Sequence, residues 1–226
     1  MKKMGLFLLC IMLLVSCGSQ TIIEWVDFIK INGKQYDAVY TAVISDSVNI
    51  GEKMGEVKFR VAGNVSNPGY RIKEGDAAFW EKGTEIYSVK DREGLIAIPD
   101  ESEINGYRIY KTDENNLSYH YKDINLEAIN KVEIYGGDYE TQLNHTIVNE
   151  QEIAEIVAIL NEGKTNASFN PNTTNGDPTR FQIVLYSEEP LANKFSLYND
   201  GNVWFWYPWD TSIISNEIES YIRKKE

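Results

Sequence analysis

The sequence predicts an α+β protein: an N-terminal small β-barrel or β-sandwich module, followed by an antiparallel sheet with two covering helices. Three observations predict it. Residues 25–121 show short runs of β-type residues broken by turn signals, and no sustained helical period competes there. Residues 149–163 carry a capped amphipathic helix, and an apolar stripe near the C-terminus repeats the helical period. Between these two helices stand three strand-like runs in succession.

In chain order, Phe28 to Ile31 and Lys34 to Tyr36 flank Asn32-Gly33, a dipeptide suited to a two-residue type I′ turn because both positions need positive φ. This pair is a hairpin. Strand runs then follow over Tyr36 to Ser45, Glu56 to Ala62, Ala77 to Phe79, Glu85 to Val89, Leu95 to Ile98 and Tyr107 to Tyr110. Asn67-Pro68-Gly69, Glu74-Gly75-Asp76 and Lys82-Gly83 supply turns between them. The pattern changes between Lys122 and Ala128, which places a β-rich module at 25–123 and an α+β module at 124–226.

In the second module, Lys131 to Tyr135 alternates apolar and polar residues, and Leu143 to Val148 resumes a strand after Gly136-Gly137-Asp138. Asn149 and Glu152 have capping-box spacing, and Ile153, Ile156, Val157 and Leu160 fall on one helical face before Gly163. Lys164 to Thr179 is polar and rich in Asn, Thr and Pro, as in a surface loop. Phe181 to Tyr186, Lys194 to Tyr198 and Val203 to Tyr207 are strands, the last two joined by Asn199-Asp200-Gly201-Asn202. A closing helix is expected from Asp210, with Ile214, Ile218, Tyr221 and Ile222 on its apolar face.

The first sixteen residues have another character. Lys2 and Lys3 precede an apolar run from Leu6 to Val15, too short to span a bilayer as a mature helix and laid out as a cleavable export signal. Leu14-Val15-Ser16-Cys17 resembles the lipobox of bacterial lipoprotein precursors. That resemblance implies cleavage after Ser16, a diacylglycerol thioether on Cys17, and a lipid-anchored linker at 17–24. Two acyl chains hold a protein stably on a bilayer where one does so only marginally. The expected location is therefore the extracytoplasmic side of the cell membrane, with the membrane itself as a partner through Cys17.

Ile50 to Val57, Asn67-Pro68-Gly69-Tyr70, Gly75 to Phe79 and Glu81 to Tyr87 form a pattern similar to one in uncharacterised lipoproteins of Bacillus-like bacteria, across roughly the N-terminal half. Asp91 to Gly94 is shorter than the equivalent loop there. The resemblance implies an exported, surface-tethered module and supplies no catalytic residue.

Loss of Lys2 and Lys3 with the signal would take the net charge from -12 to -14. So acidic a surface opposes phosphate backbones and anionic lipid headgroups, both of which select for clustered Lys and Arg, and nucleic acid is not an expected partner. The two cysteines are Cys10, within the signal, and Cys17, which leaves no disulfide for the mature chain. His120 and His145 lack metal-ligand spacing, and no nucleophile elbow or phosphate-cradling loop is present, so no catalytic residue, metal or cofactor is expected. Asn172 to Asp177 and Asn199 to Asn202 are turn chemistry and lack the ligand spacing of a calcium loop.

The run Trp204-Phe205-Trp206-Tyr207-Pro208-Trp209 is the most suggestive for function. Alternation on a strand sets Trp204 and Trp206 on one face and Phe205 and Tyr207 on the other. Core packing is the ordinary explanation of such a strand. The functional alternative makes Trp204, Trp206 and Trp209 a platform for a cell-wall glycan or a protein partner. The expectation is therefore a non-enzymatic binding or accessory module. A hydrolase of envelope glycan or peptide, and an inhibitor or sensor subunit docking to a membrane protein, are the alternatives.

Overall fold

The computed structural model describes residues 23–117, 120–136, 141–208 and 210–223. Cys17 and Trp209 lie outside the described residues, as does the segment assigned to the export signal. The described chain is mostly β, with two sheets and two short helices, which agrees at this coarse level with the predicted class.

The strands in chain order are β1 (Phe28–Ile31), β2 (Lys34–Val39), β3 (Ala42–Ile44), β4 (Ile50–Glu56), β5 (Phe59–Arg60), β6 (Asp76–Ala77), β7 (Glu85–Val89), β8 (Arg92–Pro99) and β9 (Tyr107–Lys111). They continue as β10 (Lys131–Gly136), β11 (Leu143–Ile147), β12 (Lys164–Thr165), β13 (Thr179–Tyr186), β14 (Leu191–Asn199), β15 (Trp204–Trp206) and β16 (Ser212–Ile214). The helices are α1 (Glu150–Asn161) and α2 (Glu219–Ile222).

The first sheet has the order β4-β7-β8-β9-β2-β1-β6-β5. Its two edge strands, β4 and β5, are separated in the chain only by Val57 and Lys58. Eight strands laid flat would span roughly 34 Å, whereas so short a link reaches at most roughly 10 Å. The sheet must therefore curl, and the register shifts between β4 and β7 and between β7 and β8 provide bulges that bend it. Ile29, Ile31, Val57, Ile86, Ile96, Ile98 and Tyr110 fill the interior. The Asn32-Gly33 turn is as expected, with φ of 53° and 74°, and both its backbone N–H groups donate to the Glu74 carboxylate, at 2.6 and 3.0 Å.

The second sheet has the order β11-β10-β13-β14-β15-β16-β12. One face is covered by Ile153, Ile156, Ile159 and Leu160 of α1 and by Ile218 and Ile222, which pack on Val132, Ile134, Phe181, Ile183, Leu185 and Leu197. Asn149 caps α1 as its spacing predicts, its Oδ1 accepting from the Glu152 N–H at 3.0 Å.

Several elements differ from expectation: Ile50–Glu56 is a strand the sequence pattern does not mark, the strand expected over Glu56 to Ala62 is confined to Phe59–Arg60, and Lys164–Thr165, inside the expected loop, pairs with β16. Ser212–Ile214 is not helix but strand, pairing Ile214 with Trp204 and Ser212 with Trp206. The physical reason is that β15 is buried, so its outer backbone groups require a ladder partner, and the β-branched Ile213-Ile214 supplies one. Helix starts only after the 3-10 turn Asn216–Ile218. The expected strand over Tyr36 to Ser45 is broken at Tyr40-Thr41. Its first part stays in the curled sheet, while β3 crosses to the second sheet, where Ala42, Val43 and Ile44 pair with Asn193, Ala192 and Leu191 of β14.

The seam between the sheets is stitched on both sides of β3. The Ser45 N–H and hydroxyl both donate to the Pro190 carbonyl at 2.9 Å. Asn105, at φ 61°, donates to the Ile44 carbonyl at 2.8 Å and to the Tyr186 hydroxyl at 3.0 Å. Lys194 pairs with Glu103 at 2.5 Å and Arg92 pairs with Glu189, so each sheet contributes one partner to each bridge.

Candidate functional site

β14 receives two partners along one edge, both antiparallel: β15 on Leu197 to Asn199 and β3 on Leu191 to Asn193. The C-terminal end of β15 therefore meets the N-terminal end of β3 beside Phe195 and Ser196. Tyr207, just after β15, and Tyr40, just before β3, flank the gap, and both rings are half-exposed, at 50 and 59%. A cleft of about 490 Å³ opens here on the face of the second sheet away from the helices.

Strand alternation supplies its floor. Phe181, Ile183, Leu185, Phe195 and Leu197 point to the helices, which sends Arg180, Gln182, Lys194, Ser196 and Tyr198 to the cleft side. Arg180 donates to the Ser196 hydroxyl from Nε at 3.1 Å and from a terminal nitrogen at 3.0 Å. Tyr198 stacks on Phe205 with centroids 5.3 Å apart and meets Tyr207 edge-on at 5.7 Å, and Phe169 backs Phe205 at 5.0 Å. The result is a ledge of tyrosine faces braced from behind by phenylalanine.

Arg108 forms the opposite wall. It lies between the rings of Tyr40 and Trp80, 6.0 and 5.7 Å from their centroids, and between the carboxylates of Asp27 and Asp100, at 3.6 and 2.9 Å. Asp27 is buried and also accepts from the Tyr110 hydroxyl at 3.0 Å and the Tyr40 hydroxyl at 3.4 Å. Burial raises the Asp27 carboxyl above the usual aspartate range, outweighing Tyr110, Arg108 and Tyr40, which act to lower it. Burial likewise opposes charge on Glu133, but Lys131, Tyr135 and Tyr186 prevail there and hold it below the usual range.

A carboxyl that binds its proton more tightly when folded adds stability below the ordinary aspartate range and loses it as pH rises through its folded-state value. Asp27→Asn abolishes that dependence. The unfolding free energy of wild type minus variant, from urea melts, is expected to move in favour of wild type as pH falls from about 7 to about 4. Movement the other way contradicts the assignment.

The structure separates two of the predicted platform residues, Trp204 and Trp206, from solvent. Trp204 and Trp206 are 0 and 1% exposed and belong to the core under the helices, so core packing, the ordinary explanation, holds for those two indoles and the platform alternative is corrected there. α1 and the closing segment cover the even-numbered face of the strand and leave the odd-numbered face, with Tyr207, at the cleft. Trp209 lies outside the described residues. Sequence reasoning missed Tyr40, Arg108, Arg180, Lys194 and Tyr198. The polar alternation of Arg180-Gln182 and Lys194-Ser196-Tyr198 was a visible signal; that Tyr40 and Arg108 arrive from the other sheet was not.

Of the acidic side chains among the described residues, only Glu103 lines this cleft, and Lys194 holds it. Asp27 and Asp100 sit behind Arg108. The two Asn- and Asp-rich stretches meet at Asp200, whose carboxylate accepts from the backbone N–H groups of Asn172, Asn202 and Val203 at 2.9 to 3.0 Å, and these bonds outweigh burial to keep it below the usual range. Among the described residues no group of three or more His, Cys, Asp or Glu is placed to hold a metal ion.

No family model, curated protein or solved structure matches the chain.

Proposed function

We propose that the protein is an extracytoplasmic, lipid-anchored binding module that takes a polar, neutral ligand of the glycan class in the cleft at the seam of its two sheets. In this proposal Cys17 carries the anchor, in keeping with the lipobox resemblance, and the curled sheet is a small barrel-like unit built against the helix-covered sheet. The observation that carries the binding function is the ledge of Tyr40, Tyr198 and Tyr207 facing Arg108 and Arg180. Tyrosine faces take the apolar face of a sugar ring, and their hydroxyls with the guanidinium N–H groups take its hydroxyls. Arg108 is paired with Asp27 and Asp100, and Lys194 with Glu103, which favours a neutral ligand over a strongly charged one.

The same geometry weighs against the hydrolytic alternative. Two-carboxylate hydrolysis needs a pair of acids facing the ligand across about 5 to 9.5 Å. Glu103 alone reaches this cleft among the described residues, and its charge is tied to Lys194.

Titration calorimetry with soluble cell-wall glycan fragments tests the function. Wild type is expected to bind, and Tyr207→Ala to weaken binding at least about tenfold while its melting temperature stays within a few degrees of wild type. Undiminished binding by Tyr207→Ala contradicts the placement of the ligand. Release of cleaved product from the fragments would favour the hydrolase.

A further inference from the structure

The end of the curled sheet nearest the tether carries a surface unlike the rest of the molecule. Residues 57–83 hold five Lys and Arg against three Asp and Glu, in a chain with 22 against 34, so this segment is net positive, with exposed Glu24 and Glu56 at its border. Even those three acids are engaged. The Glu74 carboxylate accepts from the Asn32 and Gly33 backbone, Asp76 accepts from the Tyr70 hydroxyl at 2.8 Å and the Lys73 N–H at 2.7 Å, and Glu81 pairs with Arg60. Lys58, Arg71 and Lys73 are exposed and have no ion-pair partner among the described residues.

Aromatic rings stand among these cations. Tyr70 contacts Trp25 at 6.3 Å and Phe59 at 6.5 Å, and the Lys73 ammonium lies 5.5 Å from the Tyr70 centroid. Phe59 is 38% exposed and Val26, beside Trp25, is 71% exposed. The aliphatic stem of Lys58 crosses Gly75, where a Cβ would stand 2.6 Å from it, so Lys58 and Lys73 approach the same turn from two segments. Trp and Tyr with flanking cations match the chemistry of a membrane–water interface, where the rings sit at headgroup depth and Lys or Arg meets anionic lipid.

Position supports this partner. The eight residue steps from Cys17 to Trp25 reach at most roughly 28 Å, so a thioether-linked lipid on Cys17 keeps Trp25 and its neighbours within that distance of the bilayer.

We infer that the surface formed by Trp25, Phe59, Tyr70, Lys58, Arg71 and Lys73 rests on an anionic bilayer and orients the anchored molecule. This inference rests on the proposed lipid anchor. It assigns a docking face where an unoriented tether would leave the domain free to tumble. The overall acidity acts in the same direction, because the remaining surface is repelled by the lipid that attracts this patch.

Hydrogen exchange on the mature protein, purified from membranes and reconstituted into vesicles, tests it. In vesicles containing phosphatidylglycerol, amides of residues 58–73 are expected to exchange about fivefold or more slowly than in pure phosphatidylcholine vesicles, while residues 191–199 exchange alike in both. The triple variant K58E/R71E/K73E is expected to lose the difference and keep the wild-type melting temperature. Should it fail to fold, Phe59→Ser serves instead, with a partial loss expected.

Equal exchange in the two vesicles overturns the inference. The mass of the N-terminal peptide separates this from failure of the anchor. With diacylglycerol on Cys17, equal exchange rejects the docking face alone. Without lipid on Cys17 the anchor fails, and then protection on the anionic vesicles would uphold the face, whereas its absence would reject both.

Discussion

Truncating Trp206 to alanine is expected to lower the stability of the chain by about 3–5 kcal/mol, the largest effect of any single side-chain truncation considered. The indole is 1% exposed and is met edge-on by Tyr121 at 4.8 Å and by Phe195 at 5.6 Å. Removing it deletes both contacts and leaves a cavity lined by rigid neighbours, which collapses poorly. The indole N–H accounts for none of this stability, since it is buried without a hydrogen-bond partner. Trp206→Phe is therefore expected to cost much less than Trp206→Ala, because it removes an unsatisfied donor along with part of the ring. Urea denaturation of the two variants measures the difference. A Trp206→Ala loss below about 1 kcal/mol would contradict burial of this residue and return it to the surface.

The second large effect is expected at β3. Val43→Pro removes the backbone donor at the centre of the β3–β14 ladder and places a ring where a fully buried valine now sits. A loss of about 3 kcal/mol or more is expected. The consequence reaches beyond one strand, because β3 belongs by sequence to the first half and by hydrogen bonding to the second. Amide exchange under increasing denaturant is expected to show the slowest amides of β8 and of β13 opening together in wild type. Separate opening, with one sheet surviving the other, would show that the seam does not couple them.

The elements readable from sequence are those fixed by neighbouring residues. Asn32-Gly33 needs nothing beyond its own positive φ values, and α1 announces itself through the Asn149 cap and a single apolar face. The hairpin at Asn199 to Asn202 is of the same kind, its turn closed by Asp200 accepting from Asn202 and Val203. What remained hidden depends on distant partners. Ser212–Ile214 has the apolar spacing of a helix and becomes a strand because β15 needs a partner. β3 leaves its sheet because β14 offers an open edge. The aromatic strand shows both sides of this limit: alternation predicts its two faces, but only the position of α1 and the closing segment decides which face is buried. The cleft is less legible still, since Tyr40 and Arg108 lie far in sequence from Tyr198 and Tyr207.

The proposed binding cleft draws on both sheets. Chemical-shift mapping of the mature protein titrated with cell-wall glycan fragments tests it most directly. The perturbed amides are expected on both sides of the seam, at Tyr40, Thr41 and Arg108 from one sheet and at Ser196, Tyr198 and Tyr207 from the other. Perturbation confined to a single sheet, or centred on the helix-covered face around Trp204 and Trp206, would contradict it.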